Sequence, residues 1–369
     1  MLWNYNKHGV SLFSLDAAIN IAFEPAASFS CFVPEVGSSI WNMIYPSARV
    51  SQRSFWLPGT LMSKRGSVQT NLEYATARFL LSALGLLPRR LAVGIGRMLG
   101  QTAYRVSRKL RRTGERNLEL AFPGLSRPER ERILRGCFMS LGRQLGEFSH
   151  FSKLSTDNLR CLVECEGLEN LDAARAAGRG AILFTGHLGA WELSSVALSL
   201  LGHPVSFLVR RLDNPKIERL LEQARTRFGN RTIDKRAAMR PMLRVLKAGG
   251  TLGLLVDVNM MAHEGIFVDF FGTPASTTFD LATLALRTRA PVIPVFAPWE
   301  ERRQRFVLHI GAPLNIEHTS DEDEDVRRLT SLFTKVIEDY IRRYPDQWLW
   351  IHKRWRTRPE GESDLYKPS

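Results

Sequence analysis

Between residues 181 and 310, short apolar runs rotate with helical stretches, and this periodicity restricts the fold more than any other property of the chain. The runs are Ala181–Thr185, Val205–Val209, Leu252–Val256, Ile266–Phe270, Val292–Phe296 and Phe306–Ile310, rich in β-branched and aromatic side chains and nearly free of charge. Helical spacing fills the intervals Ala190–Leu201, Pro215–Phe228, Lys235–Ala248 and Thr278–Arg289. A strand that is apolar on both of its faces must be covered on both. The pattern therefore predicts an α/β fold with a mixed, largely parallel central sheet and helices on both faces. A short strand near Leu162–Cys165 precedes it, and the acidic run Asp321–Asp325 opens a last helix to about Arg343, where carboxylates meet the positive helix end.

Upstream the chain changes character. Ser126, with Pro128 and Glu129 behind it, starts a helix that runs to about His150. From Leu72 to Arg112 the spacing is again helical, broken at Pro88, and apolar faces carrying Leu80, Leu84, Leu91, Ile95 and Met98 are interleaved with arginines. Gly94, Gly96 and Gly100 follow no strand, so they mark close helix packing rather than a dinucleotide loop. The net charge of the whole chain is +14, and residues 62–116 hold ten of it, with 12 basic against 2 acidic residues. Such helices suit the headgroup level of an anionic membrane. No apolar run reaches the ~20 residues of a spanning helix, so a peripheral or monotopic association is expected. Residues 1–61 are aromatic-rich, electrically neutral and without periodicity, and Met62-Ser63-Lys64-Arg65 reads as a sensible start. The expected organisation is an extension or misassigned start over 1–61, basic amphipathic docking helices over 62–115, a catalytic α/β domain over 116–361, and a tail over 362–369. Cys31, Cys137, Cys161 and Cys165 have no zinc-type spacing, and Cys161 and Cys165 read as small buried apolar residues. Neither a metal nor a tightly held cofactor is expected.

The stretch Gly180-Ala-Ile-Leu-Phe-Thr-Gly-His187-Leu-Gly-Ala-Trp-Glu192 carries the chemistry. A buried strand ends at Thr185, a glycine-bearing turn presents His187, and Glu192 enters the following helix. In open α/β sheets ligands collect outside the carboxyl ends of strands, where this histidine falls. A neutral imidazole can take a proton from an alcohol attacking a carbonyl, and a neighbouring carboxylate would fix its tautomer. No G-x-S-x-G elbow supplies a protein nucleophile. The attacking hydroxyl would then belong to the substrate, and the reaction would be a direct acyl transfer whose oxyanion is held by backbone N–H groups or an arginine at the sheet edge.

From about Leu72 to Gly361 the chain resembles the bacterial lipid A biosynthesis acyltransferases and their wider lysophospholipid acyltransferase relatives. The resemblance is carried by Arg116-Asn-Leu-Glu-Leu-Ala-Phe-Pro123; by His187 through Glu192, an H-x4-D/E motif; by Asp213-Asn214-Pro215 with Arg210 ahead and Arg225 behind; by Asp257 after a buried strand; by Val268-Asp-Phe-Phe-Gly272 with Ala275 and Thr277; and by Gln347-Trp-Leu-Trp-Ile-His-Lys-Arg-Trp355 with Thr357-Arg-Pro-Glu-Gly361. It implies a glycerol-phosphate acyltransferase-like fold, with His187 as general base and Glu192 as its partner, and with Arg210, Arg225 and Asp257 as substrate-binding positions. It further implies an acyl thioester donor, acyl carrier protein or acyl-CoA, and a membrane-lipid acceptor, foremost a lipid A precursor, at the cytoplasmic face of a bacterial inner membrane. Two departures stand out: the family often has Asn at the position of Ala190 and Gly near Asp280.

Trp348, Trp350 and Trp355 alternate with His352, Lys353, Arg354 and Arg356, a composition compatible with single-strand nucleic-acid stacking, a membrane interface or core packing. With the resemblance, interface or core is expected and nucleic acid is not a partner. The rival readings are an acyltransferase for a lysophospholipid or other membrane lipid, and a membrane-binding relative that keeps the fold without the chemistry.

Overall fold

The computed structural model describes residues 67–235 and 238–367. The expectations for residues 1–61 and for a start at Met62 lie outside the described residues, as does Cys31.

Helices α1 (Ser67–Leu86), α2 (Arg89–Val106), α3 (Arg108–Ala121) and α4 (Arg127–Phe148) come first. Pro88 separates α1 from α2 because its fixed φ of −54° comes with an extended ψ of 137°. The Ser126 capping box opens α4: the backbone N–H of Ser126 donates to Glu129 at 2.8 Å and its hydroxyl donates to the same carboxylate at 2.6 Å. Helices α2 and α4 pack against each other through glycine. A Cβ on Gly100 would stand 2.1 Å from the carbonyl oxygen of Phe138, and one on Gly96 would stand 2.2 Å from that of Gly142. Gly94 faces open space and takes no part in this packing.

After α5 (Thr156–Leu162) the chain enters the sheet with β1 (Val163–Glu166), then α6 (Leu168–Ala176), β2 (Ala181–Thr185), α7 (Trp191–Leu200), β3 (Val205–Val209), α8 (Pro215–Thr226), β4 (Arg231–Asp234), α9 (Met239–Lys247) and β5 (Thr251–Leu255). A hairpin of β6 (Ile266–Phe270) and β7 (Thr273–Thr277) leads to α10 (Asp280–Thr288), β8 (Val292–Phe296), β9 (Trp299–Glu300), β10 (Arg305–Ile310) and α11 (Glu322–Arg343). The sheet runs β1-β10-β8-β2-β5-β3-β4, with β9 paired to β10. Its pairs are parallel except β10–β8 and β10–β9. Alternate residues of one strand serve opposite cores. Ile182 and Phe184 join the cluster of α3, α4, α10 and α11, whereas Ala181 and Leu183 join that of α5, α6 and α7.

Ile266–Phe270 was expected beside the other strands but pairs only with β7, off the main sheet. Phe271 and Gly272 both adopt positive φ, 57° and 77°, so the chain doubles back at once. A phenylalanine there is strained. The Phe271 N–H donates to the buried Glu338 carboxylate at 2.8 Å, and the Arg342 guanidinium lies 4.6 Å from the ring. Helix α10 starts at Asp280 itself, and the Thr278 hydroxyl donates to the Asp280 carboxylate at 2.9 Å. The cysteine expectation is corrected: Cys161 is exposed on α5 and Cys165 half-buried in β1, while Cys137 is buried in α4.

Candidate active site

Strands β2 and β5 are parallel neighbours, with Thr185 opposite Leu255. Two residues beyond that pair, the chain places His187 after β2 and Asp257 after β5. Both therefore emerge from the carboxyl edge of the sheet at the same height. The His187 backbone N–H donates to Asp257 Oδ2 at 2.7 Å, and His187 Nδ1 lies 2.8 Å from Oδ1. A carboxylate only accepts, so Nδ1 carries the proton and Nε2 keeps the lone pair of the neutral ring. His187 is 15% exposed and lines a cavity; Asp257, at 2%, is sealed beneath it. Burial pushes the Asp257 carboxyl upward, but the His187 imidazole and the hydrogen bonds from His187 and Trp348 outweigh it and hold the group well below the usual carboxylate range.

The turn between β2 and α7 is locked on every side. A Cβ on Gly186 would stand 2.9 Å from Asp257 Oδ2, so the residue before the histidine must be small. Gly189 has a φ of 62°, and a side chain there would meet the Ala297 carbonyl oxygen at 2.2 Å. The Gly189 N–H donates to Gln347 O, and the Ala190 N–H to Ala297 O at 2.8 Å. Ala190 occupies the N-cap position of α7 without a side-chain cap. Since the N–H groups of residues 187 to 190 all have intramolecular acceptors, the turn itself does not supply the oxyanion donors expected from the sequence.

The expected contact between His187 and Glu192 is replaced by another. Glu192 lies in the first turn of α7 and turns toward α8, where Arg225 grips it with two hydrogen bonds: Nε to Oε2 at 2.9 Å and Nη2 to Oε1 at 2.5 Å. Burial works against the Arg225 charge, but Glu192 more than compensates and its pKa is raised. Both residues line the same cavity as His187. Arg225 was expected as a substrate-binding position; its fork is filled by Glu192. Arg210 is exposed just beyond β3 and lines the cavity. Asp257, expected to touch substrate, is instead the residue on which the histidine rests.

The cavity measures about 270 Å³ and opens between α1, α4, α7 and the carboxyl ends of β2, β3 and β5. Its walls are chiefly apolar, among them Leu81 from α1, Leu145 and Phe148 from α4, and Phe207 from β3. An apolar slot with one imidazole and an ion pair in its wall can hold a hydrocarbon chain with its carboxyl end at the histidine.

The C-terminal tryptophans are core residues. Trp348, Trp350 and Trp355 are at most 1% exposed, which removes them as a stacking platform or a headgroup belt. Their segment wraps the site. The Leu349 N–H donates to His187 O, the Asn259 N–H donates to His352 Nε2 at 3.0 Å, and Arg354, fully buried, donates to the carbonyl oxygen of Ser276 at 2.7 Å. Trp348 donates its indole N–H to Asp257 Oδ2 at 2.7 Å. In the sequence Trp348 reads only as a packing or interface aromatic. The signal that remained was its place in a matched block, with no means of showing which atom it meets.

Residues 66–357 match the family described as bacterial lipid A biosynthesis acyltransferase. A lipid A biosynthesis acyltransferase of Haemophilus influenzae is 28% identical over 288 residues, covering 78% of this chain and 88% of that protein. The lipid A biosynthesis lauroyltransferase of Escherichia coli is 28% identical over 80% of this chain and 100% of its own length. The myristoyltransferase of the same pathway and organism is 24% identical, over 78% of this chain and 88% of its own length.

Proposed function

The chain belongs to the bacterial lipid A biosynthesis acyltransferases and is an acyltransferase; from that premise we propose that it moves a fatty acyl chain from an acyl thioester, acyl carrier protein foremost, to a hydroxyl of a lipid A precursor. One observation carries the mechanism: Asp257 fixes His187 with Nδ1 protonated, and the histidine lines an apolar cavity. The acyl chain enters the cavity with its thioester carbon at His187. Nε2 takes the proton of the acceptor hydroxyl as the oxygen attacks that carbon. The tetrahedral intermediate collapses, the C–S bond breaks, and the imidazolium returns its proton to the departing thiolate. Asp257 stays ionised throughout and stabilises the imidazolium. Glu192 and Arg225 act together as a fixed wall of the cavity, and Arg210 at its rim is suited to an anionic group of donor or acceptor.

A membrane position fits the surface. No helix among the described residues is long and apolar enough to cross a bilayer. On α1, Leu81 faces the cavity, while Val68, Leu72, Phe79 and Leu86 stand 63–84% exposed on the opposite side. Arg90, Arg105, Arg108, Lys109 and Arg112 are exposed on the following helices. A helix apolar on both sides, flanked by cations, is suited to lie in an anionic headgroup layer, as at the cytoplasmic face of the inner membrane, and to roof the acyl slot.

The test is transfer from acyl carrier protein and acyl-CoA donors to a lipid A precursor, read as the mass of the acylated product. The protein is expected to acylate the precursor, and His187→Ala to abolish product formation. Transfer to a lysophospholipid and not to the precursor would overturn the acceptor, and an active His187→Ala would overturn the mechanism.

A further inference from the structure

We propose that Trp348 is a positioning residue for acyl transfer, its indole N–H holding Asp257 in the orientation that keeps the lone pair of His187 available to the acceptor hydroxyl. The inference rests on the reading of His187 as the base.

Asp257 Oδ2 receives two donors, the backbone N–H of His187 and Nε1 of Trp348, each at 2.7 Å. Its other oxygen receives Nδ1 of His187 at 2.8 Å. Rotation about the carboxylate torsion of an aspartate is soft, so a carboxyl group alone does not fix the plane it presents to the ring. Two donors converging on Oδ2 from different chain segments specify it. Turning the group would break both bonds in a buried site, where an unmet ionised acceptor is costly.

Trp348 is itself tightly packed. It is 1% exposed, with its ring edge-on to Phe270 at 5.6 Å and to Trp350 at 4.6 Å. Its backbone bridges to Leu188, its predecessor Gln347 accepts from Gly189, and its successor Leu349 donates to His187 O. Three consecutive residues thus grip the histidine turn through the main chain and the His187–Asp257 pair through one indole. A tryptophan serving only the core needs any acceptor for its N–H. Trp350 uses the Pro345 carbonyl at 2.6 Å and Trp355 the Thr273 carbonyl at 3.3 Å. Trp348 alone of the three spends its N–H on a carboxylate.

The test replaces Trp348 in the full chain by Phe and, separately, by 3-benzothienylalanine, which keeps the bicyclic shape and lacks the N–H. Acyl transfer is followed for kcat and KM, and the ring nitrogens of His187 are followed by 15N spectroscopy of histidine-labelled protein, assigned by their loss in His187→Ala. Both variants are expected to lose about 10- to 100-fold in kcat, with KM held within about twofold. Their His187 nitrogens should shift from one protonated and one bare signal toward the average of the two tautomers. A benzothienyl variant with kcat within about twofold of wild type and an unchanged His187 spectrum would overturn the proposal, even if Trp348→Phe fails to fold. The spectrum needs no substrate. Should the wild-type protein transfer no acyl chain at all, the proposed function falls, while the tautomer shift still decides the role of Trp348.

Discussion

Replacing Asp257 by Asn isolates what the carboxylate contributes, because the amide has nearly the same shape and no charge. At 2.8 Å from Nδ1 the carboxylate meets the imidazolium that forms as the acceptor loses its proton. An effective dielectric of ~20 gives ~6 kcal/mol for unit charges at that separation, an upper bound that neglects desolvation. A hydrogen bond to a charged group contributes about 1.5–3 kcal/mol net. The amide also offers an N–H that can face Nδ1, favouring the tautomer whose Nε2 is protonated and cannot accept. Asp257→Asn should therefore raise the barrier by about 3–6 kcal/mol, lowering kcat about 10²- to 10⁴-fold. KM should change little, since Asp257 is sealed from the cavity. The assay is initial-rate acyl transfer to a lipid A precursor, beside a far-ultraviolet spectrum showing the fold intact. A folded Asp257→Asn protein within tenfold of wild type would refute the assignment of Asp257 as the partner of His187.

If Glu192 and Arg225 act as a wall pair, Glu192→Gln should lower stability by about 1–3 kcal/mol by leaving a largely buried guanidinium without its carboxylate, and the double change to Gln and Met should recover part of it; thermal unfolding of the single and double variants checks this. The Asp257 carboxyl, held down in the folded state, contributes stability that is present above the unfolded carboxylate pKa of ~3.9 and lost as pH falls toward about 2. Unfolding measured across that interval should show a steeper loss for wild type than for Asp257→Asn, and parallel curves would contradict the linkage. Phe79, 75% exposed on α1, should report membrane docking: Phe79→Glu is expected to weaken binding to anionic vesicles at least about tenfold while the melting temperature is preserved, as read by vesicle co-sedimentation and calorimetry.

Much of the architecture was legible because the signals were local. Continuous apolar runs marked the buried strands, Pro88 broke the first helices, and the Ser126 to Glu129 spacing located the start of α4, all of which depend on residues within one turn of each other. What escaped notice lacked such a signature. β4, Arg231–Asp234, is an edge strand with mixed burial and no apolar run, and β7 begins Thr-Pro-Ala, a poor strand sequence, held in place by β6. The hairpin turn at Phe271 was hidden because a positive φ on an aromatic residue is recognisable only with the tertiary contacts of Glu338 and Arg342 in view.

The site shows the same division more sharply. His187 and Asp257 each follow an apolar run at its carboxyl end; His187 stood out on that ground, Asp257 only through the family resemblance. That they touch depends on β5 lying beside β2 in parallel with Thr185 opposite Leu255, a fact of strand order rather than of sequence spacing. The family resemblance, with proximity along the chain, favoured Glu192 instead. Yet a carboxylate in the first turn of α7 leaves the turn in a different direction from the histidine, and the last turn of α8 supplies an arginine to receive it. The H-x4-E motif therefore holds two separate pairings that share a cavity: a histidine fixed by an aspartate 70 residues on, and a glutamate fixed by an arginine 33 residues on. On this geometry a carboxylate that keeps Arg225 paired is required at position 192 whether or not it ever meets a proton. Loss of activity in Glu192→Ala alone consequently cannot identify a proton-transfer partner. The Glu192→Gln and Asp257→Asn variants compared in the same assay can, since only the second is expected to change the protonation of His187.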